Sequence, residues 1–169
     1  MTQATTAAAV QPTAAAAAEA TTAAAPAVAP SVASAAVAAS LASSDGEQPG
    51  TRVVVNSLKR GPNTLTLRFT LQNDSPAQIE TGGDHFGGPD YLDTRNVSGI
   101  FLIDAAAKKK YFVVADTDKH CICSEHVDDV PPKSAMTLWA QFPAPPDTVK
   151  KITVNVPHFQ PLDDVPISG

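Results

Sequence analysis

Aromatic side chains are scarce in this chain: Phe, Tyr and Trp make up 5% of its 169 residues. None occurs in the first fifty, and no Lys or Arg precedes Arg52. A segment without large apolar anchors cannot bury enough surface to offset the entropy of ordering it. Residues 1–50, mostly Ala, Thr, Pro, Ser and Val, therefore read as a low-complexity disordered leader or spacer. Alanine favours helix, but Pro12, Pro26, Pro30 and Pro49 interrupt the tract and no amphipathic face is present. Also missing is any apolar run long enough for a membrane-spanning helix. Small residues at Ala39-Ser40-Leu41-Ala42-Ser43 suit a signal peptidase, yet a basic n-region is lacking. The leader fits an export signal beginning upstream of Met1 or, the preferred reading, a spacer in an exported protein.

Positive charge is equally thin. The formal net charge is -5, acids and bases nearly balance beyond Thr51, and Lys108-Lys109-Lys110 is the sole basic run, read as a solvated loop. Nucleic acid is thereby excluded as an expected partner. No Gly-x-Ser-x-Gly elbow, His-Glu-x-x-His or dinucleotide fingerprint occurs, so the chain is expected not to be an enzyme.

What is present is alternation. Thr51 to Lys59 has the β-branched character of a strand, Arg60-Gly61-Pro62-Asn63 supplies a turn, and Leu65, Leu67, Phe69 and Leu71 then alternate with polar residues. These two segments predict an antiparallel hairpin. Val97 to Asp104 and Tyr111 to Asp116 are continuous apolar runs suited to central strands. Met136, Leu138, Ala140 and Phe142 alternate again, as do Ile152, Val154 and Val156 after a proline-rich connector. The tail from Pro157 holds three prolines and predicts only a short edge strand. With no helical period past Thr51, residues 51–169 predict an all-β domain of about seven strands, folded as an immunoglobulin-like antiparallel β-sandwich so that neither sheet leaves its apolar face in water. Trp139 falls opposite the Met136/Leu138/Phe142 face, where it would cover an edge or lie half exposed.

Two stretches carry candidate chemistry. The first is His120-Cys121-Ile122-Cys123-Ser124-Glu125-His126. Thiolates of Cys121 and Cys123 with His120 or His126 form a ligand set for copper or zinc, although structural zinc sites space their cysteine pairs differently. In a flat strand the two cysteines would point the same way with their Cα atoms about 7 Å apart, at the limit of disulfide geometry. A bend would let Cys121 and Cys123 close a small disulfide ring. Free thiols, or pairing with a partner chain, complete the alternatives. The second stretch is the glycine-rich loop around Asp84, His85, Phe86, Asp90 and Tyr91. It lacks both the twelve-residue calcium pattern and the helix that a phosphate cradle requires, which leaves a crossover loop or a partner-binding loop. His158 is expected to be structural.

Four motifs taken in order carry a resemblance: Val97-Ser98-Gly99-Ile100-Phe101-Leu102-Ile103-Asp104, Cys121-Ile122-Cys123-Ser124, Phe142-Pro143-Ala144-Pro145-Pro146, and Val154-Asn155-Val156-Pro157-His158-Phe159 running on to Ile167. The chain from Val53 to Ser168 resembles the N-terminal immunoglobulin-like domain of actinobacterial OmpA-family cell-envelope proteins. The resemblance implies a secreted or cell-envelope location and, in that family, a following peptidoglycan-associating domain, whose start would fall about where Gly169 lies. It brings no catalytic residues. The combined expectation is a non-enzymatic, exported interaction or structural module of the cell envelope. The alternatives are a metal-handling or redox protein centred on Cys121 and Cys123, and a self-assembling stalk or filament subunit.

Overall fold

A computed structural model describes residues 40–82, 85–91 and 94–169. Residues 1–39 of the expected leader, and Asp84 of the expected binding loop, lie outside these. The architecture follows from strand β3 (Thr64–Asn73), whose Leu65, Leu67, Phe69 and Leu71 are each fully buried. β3 pairs antiparallel with β2 (Thr51–Arg60) on one side, from Leu65 to Asn73, and with β6 (Ser134–Pro143) on the other through its full length. A bulge between Val55 and Ser57 shifts the parity of β2, so that Val53, Val55 and Leu58 all face the core although their spacing is uneven. β1 (Ala42–Asp45) lies against the outer edge of β2 and completes a sheet ordered β1-β2-β3-β6.

The second sheet contains β4 (Phe101–Asp104), β5 (Lys109–Phe112), β7 (Lys151–Asn155) and β8 (Leu162–Pro166), ordered β5-β4-β7-β8 and also antiparallel. Leu102, Tyr111, Ile152, Val154, Leu162 and Val165 point inward against the β3 face. The predicted all-β antiparallel sandwich is thus the observed fold, with eight strands among the described residues. In immunoglobulin lettering β2, β3 and β6 occupy the places of A, B and E, and β5, β4, β7 and β8 those of C′, C, F and G. Among the described residues no helix is long and apolar enough to cross a membrane.

Several boundaries differ from expectation. The first strand falls at Ala42–Asp45, inside the stretch assigned to the leader, because its register against Arg52 to Val55 depends on backbone pairing and not on apolar side chains. The run from Val97 becomes a strand only at Phe101. Val97 and Ile100 are buried from irregular backbone instead, where Asn96 Oδ1 accepts from both the amide and the hydroxyl of Ser98. Trp139 is half-buried, as its parity on β6 requires.

β3 closes with the same kind of turn. The Asn73 side chain, fully buried, donates to the carbonyls of Ala77, Val130 and Pro131 at 2.8 to 3.0 Å and accepts from Ser75. It ties the end of β3 to the segment that enters β6. Asn73→Ala would remove these hydrogen bonds together and leave the buried Ser75 amide without its acceptor, and is expected to cost about 2–3 kcal/mol in denaturant unfolding. A loss below about 0.5 kcal/mol, the scale of an ordinary surface change, would contradict this.

Candidate functional site

The cysteine segment is structural in its surroundings. Ser124 N donates to Trp139 O at 2.9 Å, Gln141 N to Ile122 O at 3.0 Å, and Ile122 N to Val114 O at 2.7 Å. Cys121 to Ser124 therefore lies along the free edge of β6, in the place of immunoglobulin strand D. Cys121 and Cys123 both face the core, at 5% and 6% exposure, and are joined as a disulfide with their Cα atoms 5.3 Å apart. The chain contracts here relative to a flat strand, which is the bend that such a ring needs.

The metal reading requires both sulfurs as thiolate ligands, and the disulfide occupies both. His120 and His126 are exposed while the sulfurs point inward, so the four side chains do not converge. His120 Nδ1 lies 3.8 Å from Glu125 Oε1 instead. Among the described residues no group of three or more His, Cys, Asp or Glu side chains is placed to hold a metal ion.

The binding-loop residues divide. Tyr91 is anchored, its hydroxyl donating to Val113 O at 2.7 Å, and burial together with the neighbouring Asp90 charge raises its pKa above the ordinary tyrosine value. Asp90 is exposed. His85 and Phe86, in contrast, wall a cleft of about 280 Å³ at one end of the sandwich, together with Glu47, Glu80, His158 and Phe159. Three elements meet there. The β1–β2 turn is clasped to the β7–β8 connector by Glu47 N donating to His158 O at 2.9 Å. Ile79 exchanges backbone hydrogen bonds with Val130, fixing the Glu80 wall. Gly99 N donates to Phe86 O at 2.7 Å, holding the third element.

The floor is aromatic and the rim is charged. Phe86 and Phe159 are buried, with ring centroids 6.3 Å apart. Above them the His85 and His158 rings stand 5.2 Å apart. Each imidazole has its own carboxylate: His158 Nδ1 is 3.1 Å from Glu47 Oε2, and His85 Nε2 is 3.4 Å from Glu80 Oε2. Glu47 and Glu80 thus set two carboxylates on the rim beside the Phe86 and Phe159 rings. Such a surface attracts a cation by charge and by the ring quadrupole, and accepts an aliphatic stem against the floor.

His158 holds its position with φ of 66°, a left-handed conformation uncommon outside glycine though less so for histidine. It lines this cleft, which its expected structural role did not anticipate, and Glu47, Glu80 and Phe159 were likewise missed. One signal was there to be used: the dipeptide His-Phe occurs at 85–86 and again at 158–159, and the fold brings the two copies together.

No protein-family model, curated protein or solved structure matches this chain.

Two outcomes follow from the geometry. A ring closed over so few residues removes little unfolded-state entropy, so reduction, or the Cys121→Ser/Cys123→Ser pair, should lower stability by only about 1–2 kcal/mol and leave a cooperative unfolding transition in denaturant. Loss of that transition would contradict the edge-pinning role. A methyl group on Gly46 would collide with Thr51 Oγ1 and come within 2.8 Å of the Phe159 ring. Gly46→Ala should therefore displace Phe159 and destabilise by about 1–3 kcal/mol, seen as lower thermal stability and altered Phe159 ring signals in NMR.

Proposed function

We propose that this chain is a non-enzymatic binding module of an exported or cell-envelope protein, and that its cleft takes a cationic side chain, lysine or arginine, presented by a protein partner. The observation that carries the reading is the pairing of Glu47 and Glu80 around the Phe86 and Phe159 rings. At about 280 Å³ the cleft is below the roughly 300–1,000 Å³ of pockets for drug-sized ligands. One extended side chain is a better match to it.

Two observations support the exported setting. The resemblance of Val53 to Ser168 to OmpA-family immunoglobulin-like domains implies an envelope location. The Cys121–Cys123 disulfide agrees with an oxidising compartment, since such bonds rarely persist in a reducing cytosol. No nucleophile-and-base pair is assigned in the cleft, and the histidine–carboxylate pairs act in this reading to position the rim.

Titration with N-acetyl-lysine methylamide, followed through the imidazole resonances of His85 and His158, tests the proposal. Saturable shifts are expected, and Glu47→Gln/Glu80→Gln should weaken binding by about tenfold or more, as loss of two charge-assisted contacts implies. Equal shifts with acetate, or binding untouched by the double variant, would contradict a cation site.

A further inference from the structure

Charge is strongly segregated along the sandwich. Seven of the twelve Lys and Arg residues gather at the end remote from the cleft: Lys59 and Arg60 at the close of β2, Lys108 to Lys110 on the β4–β5 hairpin, and Lys150 and Lys151 entering β7. Arg60 links these parts, donating to Pro145 O and, at 2.9 Å, to Val149 O. A hollow of about 530 Å³ there joins Ala106 and Ala107 to Lys150 and Lys151. Asp147 and the buried Asp104 are set among them, and Asp116 and Asp118 lie toward the same end with Lys119, on the turn before Cys121. The cleft end carries Asp45, Glu47, Asp74, Glu80, Asp128 and Asp129 against Arg52, Arg95 and Lys133. A protein of net charge -5 therefore has one basic end and one acidic end.

The projecting feature of the basic end is the β4–β5 hairpin. Ala105, Ala106, Ala107 and Lys108 to Lys110 are all exposed. Asp104 Oδ1 accepts from Ala107 N at 3.0 Å, which fixes the turn from beneath. Lys109 and Lys110 fold back over the Tyr111 and Phe101 rings, with Nζ 4.8 and 4.5 Å from the centroids. Lys108 stands at the tip beside three alanines, so no bulky side chain obstructs its entry into a narrow cleft.

We infer that the cleft receives Lys108 from a second copy of this chain, giving head-to-tail self-association. The inference rests on the cation reading of the cleft and names the partner. A copy cannot fill its own cleft: β2 and β3 each run ten residues between the two ends, about 30 Å at roughly 3.4 Å per residue. Each copy offers one tip and one cleft at opposite ends, so the contact is heterologous and adds copies in a row instead of closing a two-fold dimer. The lysines beside Lys108 meet the acidic residues around the cleft and set the orientation of approach.

Sedimentation velocity of the full chain, at about 20 mM and about 500 mM salt, reads the prediction, since the Debye length falls between them from roughly 20 Å to about 4 Å. Wild-type protein should grow beyond its 17.5 kDa monomer with concentration and revert at high salt. The hairpin variant Lys108→Glu/Lys109→Glu/Lys110→Glu and the cleft variant Glu47→Lys/Glu80→Lys should each stay monomeric, and a mixture of the two should associate again, because each retains the surface that the other has lost. All the substituted side chains are exposed, and a thermal scan of each variant confirms folding. Wild-type protein that remains at 17.5 kDa at low salt, or a mixture that fails to associate, overturns the inference. Binding to phosphatidylserine vesicles without self-association would assign the basic end to a lipid surface and overturn it too. If lysine amide still shifts the His85 and His158 signals while the protein stays monomeric, the cleft reading stands and only the choice of partner falls. If neither is seen, both fall.

Discussion

The burial of one face of β3 is the constraint on which the rest of the structure depends. Leu65, Leu67, Phe69 and Leu71 must leave water together because residues two apart share a side. Only a second sheet can cover them while β2 and β6 take up the backbone groups on both edges. Once that layer is set, the strands run from one end of the sandwich to the other and the connections collect at the two ends. The cleft and the basic hairpin are therefore separated by the length of a strand, and neither can be altered by repacking the other. Edges remain to be closed, and the Cys121–Ser124 segment closes one of them along β6 with its disulfide turned inward.

Much of this was legible from alternation. The long strands β2, β3 and β6 stand where Val53 to Val55, Leu65 to Leu71 and Met136 to Phe142 place them. Short elements were harder to read because their formation is not recorded in side-chain polarity. β1 is held by backbone pairing to β2 and reads Ala-Ser-Ser-Asp, which resembles a loop by composition. The apolar run from Val97 owes its buried residues to an Asn96–Ser98 turn as much as to strand pairing. The disulfide could be posed as an alternative from the Cys-x-Cys spacing, but whether the chain bends there depends on β6 lying alongside, a contact remote in sequence.

The cleft was the least legible feature, for a related reason. His85 and Phe86 were singled out, but Glu47, Glu80, His158 and Phe159 come from segments up to 111 residues apart that periodicity does not connect. A turn reserved to glycine at 46, a left-handed histidine at 158 and a loop pinned at Phe86 have to coincide before the site exists. Negative rim, aromatic floor and small volume then favour a single cationic side chain over an anion or a large ligand. The same segregation of charge that makes this end acidic leaves the opposite end basic, and two copies can satisfy both.

An experimental structure of the protein with lysine amide bound tests the cation site most directly. The account predicts the ammonium group in the cleft, within about 4 Å of the Glu47 and Glu80 carboxylates, the reach of an ion pair, with its stem against Phe86 or Phe159. A ligand seated elsewhere, or one whose carbonyl oxygen faces His85 and His158 while its amine stays in solvent, would contradict it.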